Sequence, residues 1–265
     1  MAELTPDIIA LTLLSGAIVG LFLAIFGGGG SVLAAPLLLY VVGVAEPHIA
    51  IGTSAAAVAM TALVSLLGHW RGGRVKWPCA IVFGGAGLLG SVGGSTLAKT
   101  IDGQALLLAF AIAMLAIGLS MMRRTEKAGN ADVSITRALM LRLVPLGLVV
   151  GFAAGFFGIG GGFLIVPGLM AATGMTMAAA TASSLVSVVI FGATTSSNYA
   201  LSGFVDWPLT ALLVLGGALG GAFGLWVAKQ LTDHALLAKR LFAGLVISVA
   251  VFVAWNAING LFLTP

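Results

Sequence analysis

Apolar runs about twenty residues long, almost free of charge, leave this chain only a lipid bilayer in which to fold. Of its 265 residues 60% are hydrophobic and 8% charged, with a mean hydropathy of +1.17. Soluble domains carry about 25% charged residues, and a chain of this size cannot hide such an apolar excess from water. Soluble, disordered, fibrous and disulfide-rich classes are thereby excluded. The single cysteine, Cys79, allows no internal disulfide. With a net charge of only +4, the basic residues read as topology signals rather than as a nucleic-acid surface. The N-terminus opens with Glu3 and Asp7 and lacks a basic stretch, so it is expected to be retained rather than cleaved as a signal peptide.

Spanning candidates are 8–26, 49–67, 78–98, 103–122, 176–198, 208–228 and 241–258, with 138–157 joining them if Arg142 sits at its entrance. Two apolar pieces, 32–44 and 163–173, are too short to span comfortably, and both follow glycine clusters. No segment alternates with period two, which excludes a β-barrel. The expected fold is an all-α polytopic membrane protein, placed in a bacterial-type plasma membrane.

An internal repeat organises the chain. Gly20-x5-Phe26-Gly27-x-Gly29-Gly30-x2-Leu33-x2-Pro36 recurs as Gly151-x5-Phe157-Gly158-x-Gly160-Gly161-x2-Leu164-x2-Pro167. Thr53-Ser54 answers Ser183-Ser184, Gly73-x-Val75-x-Trp77-Pro78 answers Gly203-x-Val205-x-Trp207-Pro208, and Ala98-Lys99 answers Ala228-Lys229. The organisation reads as a first repeat over 1–122, a polar linker over 123–137 and a second repeat over 138–265. Each half has three clear spans plus a pair, 32–44 with 49–67 in the first. If both of a pair cross, or both fold back, the crossing number is odd and the copies are inverted, whereas if only one crosses they are parallel. Charge favours that arrangement. Loops 69–76, 123–142 and 229–240 then share one face with eleven of the twelve Lys and Arg residues, leaving Lys99 opposite. The positive-inside rule makes that face cytoplasmic and both termini external.

A glycine cluster followed by a segment too short to span marks a broken membrane helix. Lipid cannot satisfy the freed backbone groups, so such breaks line protein-buried sites. In transporters built from inverted repeats they meet near the midplane. Here Gly28, Gly29, Gly30 and Ser31 in one half, and Gly160, Gly161 and Gly162 in the other, would aim helix N-termini at one point and attract an anion. Freed carbonyls suit Na⁺ instead, but a buried cation needs a carboxylate. All eight Asp and Glu residues lie at span ends or in loops, which favours the anion. Glycines that merely permit tight packing are the structural alternative. The hydroxyls of Thr53, Ser54, Ser183 and Ser184, with Asn198 at the end of a span, are candidate donors to an oxyanion. Each could equally bond its own helix.

Other features read as structural. Lys99 and Lys229 are snorkelling anchors, and His48, His69 and His234 are boundary decoration, although any could carry a proton. Gly216-x3-Gly220-x3-Gly224 matches Ala86-x3-Gly90-x3-Gly94. These small-residue faces suit close helix contact, one helix against its symmetry mate being the arrangement considered. No metal-spaced His or Cys set, nucleophile–base pair or P-loop is visible, so no cofactor, metal, nucleic-acid partner or enzymatic activity is expected. Nothing in the sequence indicates an oligomer.

Together these features resemble the TauE/SafE family, the sulfite exporters. The resemblance rests on Phe26-Gly-Gly-Gly-Gly-Ser-Val-Leu-Ala-Ala-Pro36 and Phe157-Gly-Ile-Gly-Gly-Gly-Phe-Leu-Ile-Val-Pro167, on the duplication and on the paired Trp-Pro. The first copy departs with Ala34-Ala35 where bulkier residues are usual. The resemblance implies a secondary transporter of sulfur-containing anions: sulfite, thiosulfate or C2 organosulfonates such as sulfoacetate. An anion channel, or a carrier of another small organic anion, is the alternative.

Overall fold

The computed structural model describes residues 5–123, 129–130, 133, 136–158, 162–230 and 235–262, and no β-strand occurs among them. Helix α1 (Pro6–Phe26) ends at a glycine break. The chain then winds through a 3-10 segment (Gly27–Leu33), a single α-turn α2 (Ala34–Leu37) and a π-turn (Leu38–Val42). Three long helices follow, α3 (Pro47–Arg71), α4 (Trp77–Ala98) and α5 (Gly103–Arg123). After the linker come α6 (Arg137–Phe157), the short α7 (Gly162–Thr173), α8 (Met177–Ala200), α9 (Trp207–Gln230) and α10 (Ala235–Phe262). Eight stretches among the described residues are long and apolar enough to cross a membrane, α6 included although it carries Arg142. Leu89, Ile112, Leu141, Leu219, Val251 and Trp255 stand exposed on the outside, an apolar surface that only lipid can cover.

Helix starts are set by local chemistry. Thr5 Oγ1 accepts from the Ile8 amide at 3.4 Å ahead of Pro6, and Thr136 and Thr176 cap α6 and α8 in the same way. Asp206 Oδ1 accepts from the Leu209 amide at 3.1 Å before Trp207-Pro208, whereas the equivalent Lys76 gives α4 no side-chain cap.

The first short segment differs from the expected helix over 32–44. It is wound from Gly27 onward as a tight 3-10 turn, which keeps its backbone bonded within the protein. Leu38 and Val42 pack with Ile8 and Ala50, so this segment returns the chain to the end at which α1 began. The segment α7 also returns, since the Asn130 amide, shortly before α6, donates to the Gly174 carbonyl at 2.9 Å. Both short pieces therefore run back across the fold.

Close packing registers fix helix directions. A Cβ added at Gly16 or Gly20 on α1 would fall on the backbone of Leu213 or Gly217 on α9, so the numbering rises together and the two helices are parallel. Gly147, Gly151 and Gly155 on α6 meet Phe83, Gly87 and Ser91 on α4 in parallel register as well. Thr61 and Ser65 on α3 face Gly217 and Gly221, making α3 parallel to α9. Gly52 lies beside Tyr199 while Gly192 lies beside Ala55 and Ala59, so α3 and α8 are antiparallel. Helices α5 and α10 are antiparallel too, with Gly118 against Ile247 and Gly260 against Gln104. The result is two interlocked groups, α1–α3–α9 and α4–α6–α8, running in opposite directions. Every Lys and Arg of the described residues except Lys99 falls at the end where α3 finishes and α4 begins.

The small-residue faces do not pair a helix with its symmetry mate. Gly216, Gly220 and Gly224 of α9 receive Leu13, Ala17 and Leu21 of α1, while Gly90 and Gly94 of α4 receive Leu148 and Phe152 of α6. The third long helix of each half thus clasps the first helix of the other half. Lipid offers no hydrophobic drive for helix contact, so backbone approach of this kind carries the association.

These seams predict a graded response to an added methyl group. Gly151→Ala drives a Cβ into the Gly87 backbone and should cost about 1–3 kcal/mol. Gly85→Ala, on the open face of the partner helix α4, meets nothing within 4 Å and should change stability by less than about 0.5 kcal/mol. Thermal unfolding in detergent micelles distinguishes the two.

Candidate functional site

The two helix breaks meet. Gly27 and Gly158, at equivalent places in the repeat, adopt φ of 63° and 67°, a left-handed backbone that a side chain would strain. Each break then docks on the other half's helix: Gly27 lies against Thr181 and Ser184 of α8, and Gly158 against Ile51 of α3. Between them Gly28 touches Gly162, backbone to backbone, so closely that neither position has room for a Cβ. Gly30 packs likewise on the α1 backbone at Phe22 and Leu23. Gly29 differs, since its Cβ would meet the Phe242 ring at 3.4 Å.

Hydroxyls surround this junction. The Gly28 amide donates to Ser184 Oγ at 3.1 Å, and that hydroxyl donates in turn to the Thr181 carbonyl at 2.8 Å. Ser31 Oγ donates to the Gly28 carbonyl at 2.7 Å, and Ser54 Oγ to the Ile51 carbonyl at 2.9 Å. Gly27 to Leu33, Ser54 and Ser184 are all buried. Aromatic rings close the periphery: Phe26 stacks on Phe242 at 4.3 Å, and Phe110 of α5 lies 5.9 Å from Phe157. With no charged side chain among these residues, polarity at the junction comes from backbone amides, carbonyls and hydroxyls. The first turn of α7, starting at Gly162, adds N–H groups that have no intrahelical partner.

The structure gathers Gly28, Gly30, Ser31, Gly162 and Ser184 at the contact, with Gly29 turned toward Phe242 and Ser54 bonded to Ile51, the residue that meets the second break. Gly160 and Gly161 lie outside the described residues. Thr53 and Ser183 have a different task. Thr53 Oγ1 accepts from the Asp206 amide and Ser183 Oγ from the Lys76 amide, both at 2.9 Å. These equivalent bonds tie the turn before each Trp-Pro helix to the facing helix of the other half. Asn198 is not brought to the junction. It sits fourteen residues beyond Ser184 on α8, about 21 Å along the axis. There its amide donates to Ser95 and Thr96 while Lys99 donates to its side chain and carbonyl. Lys99 is therefore a clasp between α4 and α8 rather than a free anchor. Sequence reading missed His69, whose Nε2 reaches the Ala24 carbonyl at 3.2 Å just before the first break. The two residues are 45 apart, and no spacing rule joins them. No group of three His, Cys, Asp or Glu residues able to hold a metal occurs among the described residues.

A multi-pass fold whose broken helices abut in its buried centre defines a class, the membrane transporters. The sulfite exporter TauE/SafE family model matches residues 12–253, and the chain belongs to that family. A probable membrane transporter protein of Xylella fastidiosa (strain 9a5c) is 44% identical over 96% of this chain and 98% of its own length. The probable membrane transporter proteins YunE and YdhB of Bacillus subtilis (strain 168) are each 28% identical, over 84% and 91% of this chain and 89% and 98% of theirs. No solved structure matches. This protein is a multi-pass transporter of the plasma membrane.

The junction makes its own prediction. Gly28→Ala or Gly162→Ala forces backbone apart and should cost about 1–3 kcal/mol, with loss of transport. Gly29→Ala makes only ordinary contact with Phe242 and should retain stability, so any loss of transport there reports on binding rather than on folding. Unfolding temperature together with uptake in cells separates these outcomes.

Proposed function

We propose that the protein is a secondary transporter that moves sulfur-containing anions (sulfite, thiosulfate or a C2 organosulfonate such as sulfoacetate) by alternating access at the glycine junction. One observation carries this reading: two glycine breaks at equivalent repeat positions abut at Gly28 and Gly162, in a buried setting without fixed charge. Such a site suits a compact oxyanion, which accepts several oriented hydrogen bonds. Gly28, Gly29, Gly30, Ser31, Ser54, Ser184, Gly160, Gly161 and Gly162 form the candidate binding set. Thr53 and Ser183 hold the flanking turns in register. The name of the family supports sulfite as the first anion to test.

The two repeats, 1–122 and 138–265 around the linker 123–137, act in this reading as inverted copies. The opposite directions of α3 and α8, and of α5 and α10, support it. Both termini are then external and the cation-rich end cytoplasmic. Cysteine accessibility scanning in a Cys79→Ala background should label position 73 from the cytoplasm and position 203 from outside. Labelling of both from one side would defeat the inverted topology.

Purified protein in liposomes should take up labelled sulfite, thiosulfate or sulfoacetate with saturation and counterflow. Flux without saturation would mark a channel, and no flux of any of the three would overturn the reading. Charge-assisted hydrogen bonds contribute about 1.5–3 kcal/mol each. Ser184→Ala, which also strips the Gly28 amide of its acceptor, should therefore weaken binding about tenfold to a hundredfold. Ser54→Ala should have a smaller effect, because its only hydroxyl bond is to its own helix. Equal, unchanged affinities in both variants would remove these serines from the site.

A further inference from the structure

We propose that His69 is a proton-binding site of the transporter, taking its second proton at Nδ1 when an anion occupies the glycine junction. The inference rests on the transport reading above. A continuous helix would bond the Gly28 amide to the Ala24 carbonyl. Here the break at Gly27 separates them, and each receives its own partner. Ser184 Oγ accepts from the amide at 3.1 Å, and the His69 ring bonds the carbonyl at 3.2 Å. Because a carbonyl only accepts, Nε2 must carry the ring's first proton. His69 is 3% exposed, and its Nδ1 has no hydrogen-bond partner. One helical turn earlier on the same face of α3, Ser65 Oγ is also buried without a partner. Native proteins seldom leave two such atoms side by side.

The surroundings explain why the second proton waits for an anion. Along α3 the nearest charge is Arg71, and beyond it Arg74 lies close enough to act on the ring by its charge. Helix α1 contributes no titratable side chain near this end, since its Asp7 lies at the far end. On α9 the one acidic neighbour, Asp206, caps the opposite end, while Lys229 stands in the last turn. The returning segment 27–42 carries no Asp, Glu, Lys, Arg or His, and α10 adds only Lys239 and Arg240 at this end. Helix α8, packed along α3, carries no Asp, Glu, Lys, Arg or His, and among the described residues no carboxylate lies at this end. A substrate anion at the glycine junction, just beyond the break, supplies a counter-charge. Anion and proton then strengthen each other's binding reciprocally. The equivalent residue of the other half is Tyr199, also buried with an unpartnered OH. A phenol does not titrate near neutrality, so the proton link belongs to one side only.

Thiosulfate, whose charge does not change near neutrality, is the binding probe. Wild-type protein in nanodiscs should bind it about tenfold more tightly at about pH 5 than at about pH 8, with proton uptake on binding that peaks at about half a proton per anion between them. His69→Gln should bind with no pH dependence and no proton uptake, while Tyr199→Phe keeps both. Nitrogen NMR of histidine-labelled protein supplies an arm that needs no substrate. A ring signal absent from His69→Gln but kept in His48→Gln should titrate at Nδ1 while Nε2 stays protonated, and thiosulfate should move the titration to higher pH. A His69 ring silent between about pH 5 and 8 both with and without thiosulfate would overturn the proposal. So would pH-dependent binding that survives His69→Gln. If thiosulfate, sulfite and sulfoacetate all fail to bind, the transport reading fails, and the NMR titration alone decides the proton site.

Discussion

In a bilayer every backbone polar group must find its partner inside the protein. The architecture follows from how this chain meets that demand at two places where its helices stop short. At the first break the chain does not unravel. It tightens into a 3-10 turn, gives the Gly28 amide to Ser184, and leaves the Ala24 carbonyl to His69. Two helices from distant parts of the chain are therefore needed to make one break tolerable. Neither repeat can complete its own break, because Gly27 docks on α8 and Gly158 on α3.

The same exchange governs packing. Helix α1 lies in the glycine groove of α9, and α6 in that of α4, at backbone-contact distance. These seams join elements that are remote in sequence and leave bulky side chains for the lipid face. A fold assembled this way has its most intimate contacts between repeats rather than within them. That property suits a centre in which two short segments touch while the helices behind them slide or tilt. The hydroxyl bonds from Thr53 to Asp206 and from Ser183 to Lys76 secure the turns on either side of that centre.

Charge is distributed to match. The junction has none, while the described cations gather at one end and Lys99 at the other is engaged by Asn198 and Ser202. A site without fixed charge binds an anion through oriented dipoles alone, which favours exchange over tight capture. The proton site proposed at His69 would give such a site a means of responding to pH.

Sequence alone determined that the chain spans a membrane and that it is all-α, and it displays motifs that recur in register. Hydropathy, the want of period-two alternation and in-register motifs are local or periodic signals that survive without coordinates. It also located the breaks, because Gly27 and Gly158 each precede an apolar piece too short to span. Tertiary structure decided the partners. Asn198 looked like a donor to an oxyanion, but α8 carries it to the far end and gives it to Lys99. Thr53 and Ser183 looked equivalent to Ser54 and Ser184, but adjacent residues on a helix point about 100° apart, so one pair faces turns and the other the breaks. His69 looked like boundary decoration until α3 was laid along α1. The identity of a helix is written in its own residues, whereas its hydrogen-bond partners across the bundle depend on which faces meet, and that is decided only by packing.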